Sequence, residues 1–425
     1  MRQLRTPLAA AGALLLAACA ADPDAPPPPA TSSPPPPVTS SPANPGTPPP
    51  TNPKPAAKPS FPQAKSQGGA VIKNPKIRPI FFGADELKSD VDAFVKKLET
   101  ASYWRDTATE YGVGAVTALP AVSFDEVPPA ALTNEEVKRW LEKKLEAGAA
   151  GPLGAPDGET LYAIYYPKQT TISFAEGGGS SCRDFGGYHE ETVASGTKVG
   201  LAVMPRCAPP TGYKSLDLVT SVSSHEFFEW ATDPFPYTDP AWSRTRDEDL
   251  AWMLVAGAEL SDLCTAIDYT PLKPVDLGYV VQRQWSNALS SQGHHPCAPR
   301  RSDEPYFVAF PEQPDKVDVP FSFTETVRGS SVKVKPGTTR TIDVTLYSDT
   351  PGPEPWDVSV VSYDRNFGDG SPSKFDYELS ETSGKAGETM KLKITAAKNA
   401  DFGVFVVTSR RGRAIHVWPG IVSTY

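Results

Sequence analysis

Positive charge is in short supply: 41 lysines and arginines face 50 aspartates and glutamates, a net charge of −9 over 425 residues. Such a balance offers no broad cationic face to a phosphate backbone and argues against a nucleic-acid partner. Histidine and cysteine are scarce, five of each. No Cys-x-x-Cys pair occurs, so a thiolate zinc site has no local framework. No Gly-x-Ser-x-Gly elbow occurs either, which removes the nucleophile arrangement built on it. An internal repeat is lacking. After the first twenty residues no apolar run approaches the about 20 residues that a membrane-spanning helix needs.

What the chain has in excess is proline, 47 residues. Proline dominates from Asp22 to about Pro62, in runs such as Pro26 to Pro29 and Pro34 to Pro37. That composition cannot bury a core and extends as a polyproline spacer, rising about 3.1 Å per residue. Fully extended, it holds a body roughly 100 Å from its anchor. Ahead of it stand a basic head, Arg2 and Arg5, and an apolar run from Pro7 to Ala18 ending Leu16-Ala17-Ala18-Cys19. These are the parts of an export signal, and the run is too short to cross a bilayer. Cysteine just after the cut resembles the bacterial lipobox. The resemblance implies a sulfur carrying diacylglycerol and an acylated amine at Cys19, where several chains hold and one alone is marginal. Ala20 is not the aspartate of inner-membrane retention, which implies the outer membrane if the cell has two.

With Cys19 assigned to lipid, Cys182, Cys207, Cys264 and Cys297 remain, an even set in an exported chain. Two disulfides are expected, with three connectivities open. Cys182–Cys207 and Cys264–Cys297 are preferred because each closes a short loop; zinc-binding cysteines are the competing reading.

Folding is expected from about Gly69. Val71 to Phe82 suits a strand, and Asp85 to Thr100 a helix with Leu87, Val91, Phe94, Val95 and Leu98 on one face. Thr133 to Glu146 reads as a second helix, with Thr133 and Glu136 as a capping box, Val137, Trp140, Leu141 and Leu145 as its stripe and Gly148 as its stop. Leu161 to Tyr166 and Val199 to Met204 read as buried strands, with a flexible loop at glycines 177 to 179. The order predicts an α/β or α+β body over residues 69–312. From residue 313 short alternating segments follow, at 332–334, 339–347, 356–362, 375–379, 390–394 and 402–408. Turns separate them at Pro336-Gly337, Gly368-Asp369-Gly370 and Lys385-Ala386-Gly387. They predict an all-β, immunoglobulin-like sandwich with Trp356, Phe375, Phe405 and Trp418 in its core.

Chemistry concentrates in Ser215 to Pro234. Leu218, Val219, Val222 and Phe227 or Phe228 give a helical stripe, and Pro234 ends it. Inside stands His225-Glu226-Phe227-Phe228-Glu229. At about 100° per residue, His225 and Glu229 lie one turn apart on one face, so both can reach one metal ion. Glu226 beside them is suited to general-base work on water bound to that ion. The pattern resembles the H-E-x-x-H helix of zincin metallopeptidases, with glutamate for the second histidine. Glutamate is an acceptable zinc ligand, but its charge weakens the ion's Lewis acidity and admits calcium or manganese. Glu259, on a helix expected over Ala251 to Leu263, is the favoured third ligand, with Asp262 or Asp233 as alternatives. A plain contact between His225 and Glu229 explains the same spacing without a metal. A second cluster runs from Cys182 to Glu191. His189 in it could meet substrate or serve as a ligand, although a disulfide-pinned turn at Gly186-Gly187 explains the composition without chemistry.

Several segments carry a wider resemblance. Phe81-Phe82-Gly83, Tyr103-Trp104, Glu110-Tyr111-Gly112-Val113-Gly114 and Cys182 to His189 look like the secreted EXORDIUM-like, phosphate-induced proteins of plants. Ser224-His225-Glu226 through Thr232-Asp233-Pro234, Glu259 to Cys264 and Trp285-Ser286-Asn287 look like bacterial H-E-x-x-E lipoproteins. The resemblance spans about Asn74 to Cys297. It implies an extracellular role and a metallopeptidase-like core acting on a peptide, protein or cell-wall substrate with zinc held by His225, Glu229 and Glu259. A non-catalytic surface or wall-polysaccharide binding protein is the alternative, its tyrosines and tryptophans stacking on sugars.

Overall fold

A strand whose side chains are apolar on both faces needs cover on both, and this chain supplies it with helices. The computed structural model describes residues 58–174, 179–267, 272–300, 304–320, 325–350, 354–363 and 373–425. The export signal, Cys19, most of the tether, glycines 177 and 178 and the Gly368-Asp369-Gly370 turn lie outside the described residues. The body runs β1 (Lys76–Phe82), α1 (Lys88–Leu98), α2 (Ser102–Ala108), β2 (Thr117–Ala118), β3 (Val122–Phe124), β4 (Ala131–Thr133), α3 (Asn134–Leu145), β5 (Thr160–Tyr166), β6 (Thr171–Ser173), β7 (Tyr188–Ala194) and β8 (Thr197–Pro205). It continues through α4 (Ser215–Thr232), α5 (Leu250–Ala256), α6 (Leu260–Ile267), β9 (Gln284–Trp285), α7 (Asn287–Gln292) and β10 (Cys297–Ala298).

The main sheet has the order β2-β1-β5-β8-β7, with β3 also on β1; its pairs are parallel except β7 on β8. All seven residues of β5 are buried, so the strand reads as a continuous apolar run. Ile77, Phe81, Leu161, Ala163 and Tyr165 point to the side holding α1, α2 and α4. Ile80, Phe82, Tyr162, Ile164 and Tyr166 point to α3, which lays Val137, Leu141 and Leu145 on them. The α3 capping box forms as expected: Thr133 Oγ1 accepts the Glu136 N–H, and Glu136 accepts the Thr133 N–H at 2.7 Å. Disulfides join Cys182 to Cys207 and Cys264 to Cys297. They suit an oxidising, extracellular setting. Among the described residues no helix is long and apolar enough to cross a membrane.

Three sequence expectations need revision. The helix expected over Ala251 to Leu263 is two, α5 and α6, because Gly257 takes φ +102°, open to glycine and strained for other residues. A Cβ at Gly257 would also stand 2.3 Å from Asp262 Oδ2, so the break is what lets Asp262 approach. Order begins before Gly69: Phe61 is buried against Tyr306, Tyr347 and Trp418, and the Ala64 N–H donates to Asn287 Oδ1. The end of the proline-rich stretch is docked because it carries an aromatic ring that the junction of the two halves can bury. Trp418 belongs to that junction rather than the sandwich core, packing on Trp252 with ring centroids 5.4 Å apart.

The carboxy-terminal half comprises β11 (Phe307–Pro311), β12 (Asp315–Pro320), β13 (Thr326–Lys333), β14 (Thr339–Ser348), β15 (Trp356–Ser362), β16 (Phe375–Leu379), β17 (Ser383–Gly384), β18 (Thr389–Ala396), β19 (Phe402–Arg411) and β20 (Ala414–Ser423). Two sheets, β11-β14-β18-β16 and β12-β13-β20-β19-β15-β17, enclose one apolar core with Trp356, Phe375 and Phe405 inside, as expected. β20, which carries Pro419-Gly420, was not among the segments expected from the sequence. Gly420 makes room for a ring: a Cβ there would stand 2.4 Å from Phe405 Cζ. The two halves share a packed junction, where Leu250, Ala251 and Met253 of α5 meet Val317, Val319, Val327 and Ile421.

Candidate metal centre

α4 starts where Asp217 Oδ2 accepts the Lys214 N–H at 3.0 Å and stops at Asp233, whose φ of −146° leaves the helical region ahead of Pro234. It is covered by β7 and β8, by α1 and α2, and by α6. A helix buried all round is normally apolar. This one carries His225, Glu226 and Glu229, each without exposure.

The i, i+4 spacing does what the sequence suggested: His225 Nε2 lies 3.1 Å from Glu229 Oε2. From α6, Asp262 Oδ1 comes within 3.6 Å of the same nitrogen. The other ring nitrogen, Nδ1, is 2.9 Å from Gln282 Oε1, while Gln282 Nε2 donates to the Ser261 carbonyl at 2.7 Å. The amide is thereby oriented with its oxygen towards the imidazole. Nδ1 donates, so once Nε2 gives up its proton it is a lone-pair donor facing the carboxylates, the arrangement that metal-ligating histidines require. Nε2 has no hydrogen-bond partner, nor does Glu229 Oε2. The other oxygen of Glu229 accepts the Asp262 N–H at 3.1 Å, which locks its direction.

His189, on β7, also enters the cluster. Its Nε2 lies 3.2 Å from the Asp233 carbonyl, and its Nδ1 faces Glu229 Oε2 at 3.7 Å and Glu226 Oε2 at 3.8 Å. Glu259, just before α6, approaches this ring at 3.6 Å. Two sets of side chains therefore converge closely enough to hold an ion: His225, Glu229 and Asp262, and His189, Glu229 and Glu259, each with ligand atoms within 4.8 Å of one another. Asp262 is thus the acid on the His225 side, and Glu259 gathers with His189. Asp233 turns aside, accepting the Ala241 N–H through Oδ1 at 2.6 Å.

Glu226 differs from its neighbours, for neither of its oxygens has a hydrogen-bond partner. Close packing holds it: a Cβ on Gly187 would stand 2.4 Å from Val222 Cγ1 and 3.0 Å from Glu226 Oε1. Burial raises the Glu226 carboxyl above the ordinary range, and it raises Glu259 and Asp262 well above it. Burial lowers the two imidazoles, but the facing carboxylates outweigh it, lifting His225 to about 10 and His189 well above its usual value. Glu229 is held low, because His225 and His189 overcome the effect of burial. Without an ion the cluster keeps its charges in check by sharing protons; ion binding at such a site releases them.

Gln282 and Ser261 escaped the sequence reading, since no fixed spacing links them to the helix. The remaining histidines are elsewhere. His294 pairs with Asp349 at 3.0 Å, and the rings of His295, Tyr306 and His416 pack edge-on or tilted against one another at the junction.

No protein-family model matches this chain, and no curated protein matches it. Solved structures similar to part of it include the S-layer protein SbsC, domains 4 and 5, at 13% identity over 27% of this chain, with a TM-score of 0.17. The chain spans 52% of that structure's length. A chimeric titin Z1Z2 (17% identity, 28% of this chain and 91% of that one, TM-score 0.16) and the titin M3 domain (12%, 28% and 94%, 0.16) are others. Likeness at this level says nothing of what the chain does.

Proposed function

We propose that the protein is a lipid-anchored protein of the cell envelope whose body is a metallopeptidase-like, metal-dependent hydrolase, followed by an immunoglobulin-like sandwich. One observation supports the reading above the others. His225 Nε2, Glu229 Oε2 and Asp262 Oδ1 converge without hydrogen-bond partners of their own for the first two, beside a glutamate with both oxygens unpartnered. One imidazole and two carboxylates suit zinc, with manganese or calcium as oxygen-favouring alternatives. When bound, such an ion supplies Lewis acidity and lowers the pKa of water. Glu226 would take the proton of the attacking water and return it to the leaving group. Gln282 keeps His225 in the required tautomer, and the Asp262 N–H keeps Glu229 aimed at the ion. The substrate is an extracellular peptide, protein or wall component, reached by a body held away from the lipid on its tether.

The test is bound metal and peptide hydrolysis measured together on the full-length protein. Glu226→Gln is expected to lower hydrolysis of a peptide library by about 10²–10⁴-fold while leaving metal content unchanged. A protein that binds no metal, or one unchanged in metal content by His225→Ala, would sink the proposal. A second reading, a structural ion, is favoured by the absence of exposure at Glu226 and Glu229. It predicts that chelation lowers stability while no peptide in the library is cleaved by the loaded protein.

A further inference from the structure

Two imidazoles in this cluster aim at one oxygen. His225 is oriented through Nδ1 by Gln282, and His189 through Nε2 by the Asp233 carbonyl. The nitrogens left over, His225 Nε2 and His189 Nδ1, face Glu229 Oε2 at 3.1 and 3.7 Å. Each imidazole has a further acid beside it: Asp262 Oδ1 lies 3.6 Å from the free nitrogen of His225, and Glu259 Oε1 lies 3.6 Å from His189 Nε2, the nitrogen that also meets the Asp233 carbonyl. The two triads share only Glu229, whose Oε2 is unpartnered and without exposure.

Charge points the same way. Glu226, Glu229, Asp233, Glu259 and Asp262 are all buried, and among the described ion pairs none meets a lysine or arginine. Ligating histidines must be neutral, so they cannot offset these carboxylates once an ion is bound. A second divalent cation would take the place of protons that these acids otherwise share. Donor sets of one imidazole with carboxylates, joined by a shared carboxylate, suit paired zinc or manganese ions, which sit about 3.5–4 Å apart in two-metal sites.

We propose that the centre holds two divalent cations, one on His225, Glu229 and Asp262 and a second on His189, Glu229 and Glu259, with Glu229 as the bridge. The inference rests on the metal reading above and adds to it a second ion position and a ligand role for His189. A bridged pair clamps both oxygens of a displacement and extends the substrate class from peptides to esters and phosphoesters.

Full-length protein in detergent, stripped with chelator and reloaded with Zn²⁺ alone or Mn²⁺ alone, is expected to retain two equivalents after dialysis. Glu259→Gln and His189→Ala should each retain one, with an unchanged far-UV circular dichroism spectrum. In the Mn²⁺ form, the electron paramagnetic resonance of a spin-coupled pair should give way to that of an isolated ion in both variants. Glu229→Gln, which removes the bridge, should weaken both positions. A wild-type protein saturating at one equivalent overturns the second ion and leaves the proposed function standing. Two equivalents unaffected by either variant overturn it as well, since the second ion would then lie elsewhere. No bound metal in the wild type removes both proposals.

Discussion

Asp349 and Glu226 are both carboxylates with almost no exposure, one in each half of the molecule, and their surroundings are opposite. Asp349 has His294 at 3.0 Å, Arg300 at 2.8 Å and the Tyr306 N–H at 2.9 Å. Its charge is matched on the spot, as a structural acid at the junction should be. Glu226 has no hydrogen-bond partner and lies among other acids and two imidazoles. The sandwich core above Asp349 is otherwise apolar, built of residues such as Val344, Leu346, Leu392, Ile394 and Phe405. The contrast separates the tasks of the two halves. Buried charge without a countercharge costs free energy, and the acids gathered around Glu226 are groups that could hold a metal ion. Among its described residues the sandwich keeps no such unpartnered acid.

The sharpest way to break this comparison is to damage the sandwich. Phe405→Ala removes a fully buried ring between the sheets and should cost about 3–5 kcal/mol in denaturant unfolding of the sandwich. Metal content of the folded protein should not change; a loss of bound metal would show that the halves are not separate in function. A smaller effect should come from the body. Replacing Cys264 and Cys297 together by serine opens a 33-residue separation and should cost about 2–4 kcal/mol. Because Cys264 lies on the same short helix as Asp262, this change should weaken metal retention as well, which the Phe405 change should not. If both variants retain metal equally, the disulfide is only a staple.

The smallest effect is one of pH. Asp249, near the docked segment at Phe61 to Ala64, is lifted to about 6 by burial, against the pull of Arg246 and of the Gln63 N–H. Its folded pKa exceeds the ordinary aspartate value. The folded state therefore binds more protons between about pH 4 and 6, and stability from this group falls as pH rises through that window. The contribution is about 1–3 kcal/mol. Unfolding measured at pH 4 and pH 7 should show a smaller decline in Asp249→Asn than in the wild type. An equal or larger decline would place the pH sensitivity in another group.

Much of this architecture could be read in advance, and the parts that could not have a common cause. The α3 capping box was legible because Thr133 and Glu136 contact each other three residues apart. β5 and β8 were legible as short β-branched and aromatic runs, and so was the approach of His225 to Glu229, set by the helical turn alone. Gly257 was not read as a helix break, since an isolated glycine is tolerated in a helix unless tertiary packing uses its positive φ. Nor was Pro419-Gly420 read as part of a strand, because the reason for that glycine is Phe405, on another strand. His189 was assigned an uncertain part between ligand, substrate contact and plain turn, and its distance from Glu229 depends on how β7 pairs with β8.

The sequence by itself determined the local terms: a proline-rich stretch ahead of the body, four cysteines within it, and one helix that turns a histidine and a glutamate the same way. Only the tertiary structure decided which acid faces which imidazole. Asp262 meets His225, Glu259 meets His189, and Gln282 selects the free nitrogen of His225. The physical reason is reach. Hydrogen bonds and helical spacing act within a few residues of the chain, whereas this cluster gathers side chains from β7, α4 and the start of α6 at distances that packing alone sets.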